Sequence, residues 1–127
     1  MKIFYIDDDP DEVLLFCDAV KEIDPSIDCL GLTDSKFGIE SLRKNSAPDF
    51  IFLDYNMPGC SGEECLIIIR TIDHLKSVPV IIYSTGVSEP QKKRLLSIGA
   101  LMVVKKHNTL AAFKTFFTEA ILSKIHL

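Results

Sequence analysis

Acidic side chains directly follow two short apolar runs of this sequence. Asp7 and Asp8 come after the apolar residues 3–6. Asp54 comes after a similar run at residues 50–53. Each run has the length and continuous apolar character of a strand buried in a parallel sheet, and open α/β sheets place their sites at the carboxyl ends of such strands. Carboxylates crowded at one edge repel one another unless a cation lies among them, so the spacing predicts a site for a hard divalent ion, above all Mg²⁺.

A hydroxyl and an ammonium group follow two further predicted strands. The apolar run 78–83 ends at Ser84, and the run 101–104 is followed by Lys105 and Lys106, either of which supplies the ammonium group. Together with the carboxylates they form a set suited to phosphoryl transfer. In such a set the metal ion and lysine neutralise phosphoryl oxygens, the hydroxyl donates a hydrogen bond, and a carboxylate serves as nucleophile.

Strands and helices alternate along the whole sequence, which has one further predicted strand at residues 27–32. This alternation calls for right-handed crossovers and a parallel sheet with helices on both faces. The predicted fold is a flavodoxin-like doubly wound (βα)5 α/β domain, with a five-stranded parallel sheet of order 2-1-3-4-5. In that order the first and third strands are neighbours, as the acidic cluster requires.

Capping residues mark the starts of the predicted helices. A helix begins near Asp34, and the side chains expected to cap other helices are those of Asp9, Ser61, Ser88 and Asn108. The expected apolar face of the last helix consists of Leu110, Phe113, Phe117, Ala120 and Ile121. These spacings place one apolar stripe of each helix against the sheet.

The composition is that of one ordinary globular domain. The chain has 127 residues, of which 47% are hydrophobic and 25% charged. Its net charge of −4 argues against direct binding to nucleic acid, which needs a basic face. The sequence contains neither a signal-peptide pattern nor an apolar stretch long enough to span a membrane, so we expect a cytoplasmic protein.

The cysteines and histidines show no metal-binding spacing. The four cysteines contain no C-x-x-C pair and are expected to be free thiols that mostly fill core space; they are Cys17, Cys29, Cys60 and Cys65. Cys60 is the one candidate for a redox role, because it lies just past the loop after Asp54. The three histidines are expected at the surface; they are His74, His107 and His126.

Four segments at the predicted strand ends resemble motifs of the response-regulator receiver domain of two-component signalling. They are residues 5–10 (YIDDDP), residues 53–59 (LDYNMPG), residues 79–84 (PVIIYS), and Gly99-Ala100 followed by Lys106. The resemblance covers essentially the whole chain, and the stretch 54–59 is its most specific part. It implies a receiver domain over residues 1–127 with no output domain.

The resemblance also implies a role for each acidic residue. Asp54 resembles the phospho-acceptor, which takes a phosphoryl group from the phosphohistidine of a histidine kinase or phosphotransfer protein. Asp8 resembles the direct Mg²⁺ ligand, and Asp7 the carboxylate that holds the ion through water. Asn56 resembles the residue whose backbone carbonyl binds the metal ion, which Asp54 also contacts.

The remaining implied roles fall on the hydroxyl and the lysine. Ser84 resembles the switch hydroxyl that bonds the phosphoryl group. Lys106, and not Lys105, resembles the lysine that pairs with the acceptor, because Lys106 keeps the family's spacing from Gly99.

Three positions depart from the family pattern. Thr85 stands where the residue after the switch hydroxyl is usually small. His107 stands where proline usually follows the lysine, and Val103 where the fifth strand usually carries an aromatic ring.

Two functions from different classes follow from this reading. The leading hypothesis is a phosphorylation-dependent switch that signals by protein–protein interaction, as a monomer or a transient dimer. The alternative, motivated by Val103 and His107, is a binding module whose affinity for its partner does not depend on phosphorylation.

Two other classes of protein are disfavoured. An aspartyl-phosphate hydrolase is disfavoured because Asn56 stands where such enzymes have a second acid. A flavin or dinucleotide binder is disfavoured because acids, and not a glycine-rich loop, follow the first strand.

Overall fold

A parallel sheet forms the centre of the molecule, a computed structural model that describes residues 1–124. Within these residues the five strands are β1 (Lys2–Ile6), β2 (Asp28–Leu32), β3 (Phe50–Leu53), β4 (Val80–Ser84) and β5 (Met102–Lys105). Their order is β2-β1-β3-β4-β5, and all neighbouring pairs are parallel. The predicted fold class and strand order are therefore confirmed.

A helix follows each strand. The helices are α1 (Pro10–Ile23), α2 (Ser35–Lys44), α3 (Gly62–Thr71), α4 (Glu89–Ile98) and α5 (Leu110–Phe116). The last helix continues beyond α5 as a π turn at Phe117–Ile121 and a 3-10 turn at Leu122–Lys124. Within the described residues, every helix is too short or too polar to cross a membrane.

The start of the last helix differs from the sequence prediction. The cap is Thr109 and not Asn108, because Thr109 has the extended backbone of a capping residue and its hydroxyl accepts a hydrogen bond from the Ala112 N–H at 3.1 Å. Leu110 is then the first residue of the helix and stays 47% exposed, outside the buried face expected for it. The predicted caps Asp9, Ser61 and Ser88 are confirmed.

Alternating strand residues build an apolar cluster on each face of the sheet. In β1, Ile3 and Tyr5 point to the face covered by α1 and α5, where Phe16 and Phe117 also pack. Phe4 and Ile6 belong to the cluster under α2, α3 and α4. Burying each large apolar side chain contributes about 1.5–3 kcal/mol, so both faces hold the sheet and its carboxyl edge in place.

Candidate functional site

Backbone hydrogen bonds bring the polar strand ends to one edge of the sheet. The Asp54 N–H donates to the Ile6 carbonyl at 3.0 Å, so Asp7 and Asp54 follow paired positions of neighbouring strands. At the end of the next strand pair, the Lys106 N–H donates to the Ser84 carbonyl at 2.9 Å. The carboxylates, the hydroxyl and the ammonium group named from the sequence therefore emerge at the same edge.

The acidic residues form a compact cluster there. Carboxylate oxygens of Asp7, Asp8 and Asp54 all lie within 4.8 Å of one another. Asp7 and Asp54 are buried, whereas Asp8 is exposed. Burial raises the pKa of Asp54, and the neighbouring charge of Asp7 raises it further. The cluster thus carries excess negative charge on hard oxygen donors and could hold a metal ion.

Lys106 is the lysine that reaches this cluster. Its Nζ lies 2.7 Å from Asp7 Oδ2, 3.7 Å from Asp54 Oδ1 and 3.7 Å from Glu12 Oε2. Burial lowers the pKa of Lys106, but its hydrogen bond to Asp7 and the charges of Asp54, Asp7 and Glu12 outweigh burial and leave that pKa raised. Lys105, by contrast, is exposed. The lysine therefore stays charged and is bound more closely to Asp7 than to Asp54.

Tyr5 is a residue of the site that the sequence reasoning missed. It is fully buried, and its hydroxyl donates to Asp7 Oδ2 at 2.5 Å. The Asp9 N–H donates to the other oxygen of Asp7 at 3.0 Å, and Lys106 completes the set. A tyrosine inside a buried strand needs a partner for its hydroxyl, and a residue two positions later shares its face. That spacing could have identified the pair from the sequence.

Ser84 provides a hydroxyl that is buried but free to donate. Its side chain is only 2% exposed, and within residues 1–124 its Oγ has no hydrogen-bond partner. Leaving a buried hydroxyl without a partner costs about 1–3 kcal/mol, so Ser84 is a candidate donor to a group bound at this edge. Val103, on the neighbouring strand, is partly buried and packs against the cluster under α2, α3 and α4.

Gly62 allows the chain after Asp54 to fold back onto the site. A Cβ at this position would lie 2.4 Å from the Asp54 carbonyl oxygen and 2.8 Å from Tyr55 Cα. The Gly62 N–H donates to the Tyr55 carbonyl at 2.8 Å, which closes the loop. Asn56 lies exposed in this loop, two residues after Asp54. The first turn of α3 thus rests directly on the backbone of the proposed acceptor.

His107 is not the surface residue expected from the sequence. Its ring is partly buried and stacks on Phe116, with centroids 5.0 Å apart, because the chain after Lys106 turns toward α5. Its Nδ1 lies 3.1 Å from the Tyr83 hydroxyl, which also accepts the His107 N–H at 3.1 Å. Burial lowers the pKa of His107. His74 is exposed as expected, and His126 lies outside the described residues.

Comparison with known proteins defines the class to which this fold and site belong. Residues 3–117 match the family model of the response regulator receiver domain, so the chain belongs to that family. The two-component response regulator ARR16 of Arabidopsis thaliana is 33% identical over 87 residues, which cover 68% of this chain and 53% of ARR16. The match to the rice regulator ORR1 covers 27% of that protein. The chain therefore spans about half or less of the length of these curated relatives.

Solved structures agree on the fold. The chemotaxis protein CheY4 of Vibrio cholerae has a TM-score of 0.82 and 18% identity, with 94% of this chain and 98% of that chain covered. The phosphorylated cyanobacterial phytochrome response regulator RcpA also has a TM-score of 0.82, with 24% identity and coverage of 93% and 89%. At these identities the likeness concerns the fold. The two structures show that the chain has the same fold as these two proteins, in agreement with the family match.

Proposed function

We propose that this chain is a phosphorylation-dependent signalling switch in which Asp54 accepts a phosphoryl group in a Mg²⁺-dependent reaction. The proposal rests on the groups that surround Asp54. Its carboxylate lies in one cluster with those of Asp7 and Asp8, and 3.7 Å from the ammonium group of Lys106. Family membership supports the same reaction, since receiver domains are the phospho-accepting modules of two-component signalling.

The donor set fits a magnesium ion. It offers oxygen ligands, and its three carboxylates face the single ammonium group that the structure places among them within residues 1–124. In the proposed site Asp8 would bind the ion directly, Asp7 would hold it through water, and Asp54 and the Asn56 carbonyl would complete the protein ligands. A bound Mg²⁺ would supply positive charge to the phosphoryl oxygens, which lowers the repulsion that an attacking carboxylate meets.

The proposed transfer uses groups already at this edge. The N–P bond of a phosphohistidine breaks as a bond forms between phosphorus and an oxygen of Asp54, and the imidazole leaves with the electron pair. Lys106 and the free hydroxyl of Ser84 then bind phosphoryl oxygens. The Nζ of Lys106 already lies 2.7 Å from Asp7 and 3.7 Å from Asp54, so only a short movement brings it to a phosphoryl group on Asp54.

The phosphoryl donor in this proposal is a histidine kinase or a histidine phosphotransfer protein. The chain acts as a stoichiometric acceptor, and its output is a protein–protein interaction whose strength depends on the phosphoryl state. Direct binding to nucleic acid is not part of the proposal, because the chain is acidic.

A phosphorylation-independent binding module is the second candidate. It is favoured by Val103, which has no ring to reorient, and by His107, whose contacts with Tyr83 and Phe116 fasten the loop after Lys106. In that case the acidic cluster still binds metal, but partner affinity does not change with the phosphoryl state.

Intact-mass spectrometry after incubation with acetyl phosphate tests the proposal. We expect one added phosphoryl group on the wild type in Mg²⁺, and none in EDTA or on Asp54→Asn. Asp73→Asn is the matched control, because its carboxylate is 94% exposed and remote from the sheet edge, and it should be labelled like the wild type. An unlabelled wild type that nevertheless binds Mg²⁺ in an NMR titration would instead support the binding module.

A further inference from the structure

The four cysteines of the chain lie in two close pairs. The sulfur atoms of Cys17 and Cys29 are 2.8 Å apart, and those of Cys60 and Cys65 are 3.1 Å apart. All four are free thiols. The pairs differ in access, since Cys60 and Cys65 are buried whereas Cys17 and Cys29 are only partly buried. The expectation that the cysteines mostly fill core space therefore holds for one pair only.

Close packing between α1 and β2 creates the accessible pair. Cys17 lies in the middle of α1, and Cys29 lies on β2, which is an edge strand of the sheet. The two elements approach closely at Gly31, where a Cβ would lie 2.2 Å from Val13 Cγ1 and 3.4 Å from Cys17 Sγ. A disulfide needs a separation of about 2.05 Å, so the two sulfur atoms lie within about 1 Å of bonding distance.

The surroundings of the two thiols give them different chemistry. The hydrogen bond from Cys29 lowers the pKa of Cys17, and the positive charge of Lys21 adds to that effect. The same hydrogen bond, together with burial, raises the pKa of Cys29. Thiolates are the reactive form of cysteine. This difference favours Cys17 as the attacking thiol, and the 2.8 Å separation of the sulfur atoms places Cys29 where it can resolve an adduct on Cys17.

We propose that Cys17 and Cys29 form a reversible disulfide by exchange with a low-molecular-weight disulfide. The Cys17 thiolate attacks one sulfur of the reagent, which breaks the reagent's S–S bond and releases one small thiol. The Cys29 sulfur, losing its proton, then attacks Cys17 Sγ and releases the second small thiol. Two protein thiols are oxidised by two electrons, and the reagent is reduced to two thiols that carry away the two protons.

The other pair provides an internal contrast. Cys65 is fully buried and Cys60 nearly so, in the loop after β3 and the first turns of α3. Burial and the neighbouring thiol raise the pKa of Cys65. A protonated thiol shielded from the reagent reacts slowly. The proposed oxidation is therefore selective for the pair on α1 and β2, although the two sulfur–sulfur distances are similar.

Incubation of the full chain with oxidised glutathione tests the proposal. Before alkylation, we expect a product that is lighter than the reduced chain by two hydrogens. After an acid quench, denaturation and alkylation, that product should carry two alkyl groups, whereas the reduced chain carries four. Peptide mapping should place the new bond between Cys17 and Cys29, and dithiothreitol should reverse it. Cys29→Ser should stop at a mixed disulfide on Cys17, and Cys17→Ser should react at least about tenfold more slowly.

Three results would overturn the proposal, and none depends on a variant folding correctly. They are a wild type with four alkylatable thiols after oxidation, a wild type that keeps a stable glutathione adduct on Cys17, and a disulfide that maps to Cys60 and Cys65. Hydrogen exchange provides a separate readout, because a covalent link between α1 and β2 should slow amide exchange in both elements relative to the reduced chain.

Discussion

Replacing Lys106 by methionine tests the idea that this lysine offsets the repulsion among the carboxylates. The side chain is 12% exposed, and its Nζ contacts Asp7 at 2.7 Å and Asp54 at 3.7 Å. Methionine keeps an unbranched stem of similar length and removes only the charged end. The substitution therefore leaves packing nearly unchanged and exposes two buried carboxylates to each other.

The expected loss of stability follows from these contacts. Removing one partner of a buried ion pair costs about 3–5 kcal/mol. Asp7 keeps its hydrogen bonds from the Tyr5 hydroxyl and the Asp9 N–H, so we expect the lower end, about 3 kcal/mol. The effect should depend on pH in a definite direction. Because folding raises the pKa of Lys106, its contribution is complete below the ordinary lysine pKa of about 10.4 and is lost as pH rises through the folded value.

Urea unfolding at pH 7 in EDTA measures the loss. Lys105→Met is the matched control, because its side chain is exposed and the change should stay within about 0.5 kcal/mol. Adding Mg²⁺ should stabilise Lys106→Met more than the wild type, since the ion supplies the charge that the lysine no longer provides. A Lys106→Met protein that loses no more stability than Lys105→Met would refute the reasoning.

Three further substitutions test the neighbouring contacts. Tyr5→Phe should lower the free energy of unfolding in urea by about 1.5–3 kcal/mol, because it removes a hydrogen bond to the buried Asp7 carboxylate. The same substitution should lower the free energy of unfolding by less in an Asp7→Asn background, where that carboxylate is absent. Asp54→Asn should raise the free energy of unfolding in urea at pH 7, since burial and the charge of Asp7 raise the pKa of this carboxyl in the folded chain. The gain should vanish below the ordinary carboxyl pKa of about 3.9, where the wild-type group is also neutral. Gly62→Ala should lower the thermal midpoint and reduce the free energy of unfolding by about 1–3 kcal/mol, because the new Cβ would overlap the Asp54 carbonyl oxygen. Gly86→Ala is the control and should leave the midpoint unchanged, since no atom lies within 4 Å of its new Cβ.

Strand order and strand ends could be predicted from the sequence because their causes are local. Continuous apolar runs mark the buried strands, and the handedness of the connections then leaves few topologies. The positions of Asp7 and Asp54 at one edge follow from that order alone. The cap of the last helix was wrong by one residue because Asn108 and Thr109 are both good capping residues and only the backbone conformation decides between them.

The contacts made by long side chains could not be predicted in the same way. Lys105 and Lys106 are adjacent, and alternation places them on different sides of the chain, but the sequence pattern alone does not show which side faces the acids. The environment of His107 depends on α5, whose Phe116 is close only after the sheet and helices have assembled. The cysteine pair on α1 and β2 depends similarly on the close approach at Gly31.

The contacts of Lys106 also suggest how the proposed switch passes its state to the surface without an aromatic ring at Val103. Conversion of the Asp54 carboxylate into an acyl phosphate changes its charge from −1 to about −1.5 to −2, which draws Lys106 from Asp7 toward the phosphoryl oxygens. The Tyr5 hydroxyl remains on Asp7 and reduces the cost of that release. The next residue, His107, is tied through its N–H to Tyr83 and through its ring to Phe116. In the proposed switch, the movement of Lys106 would therefore take place next to the contact that His107 makes between β4 and α5, and a chain in which those contacts hold the loop fixed would be the binding module instead.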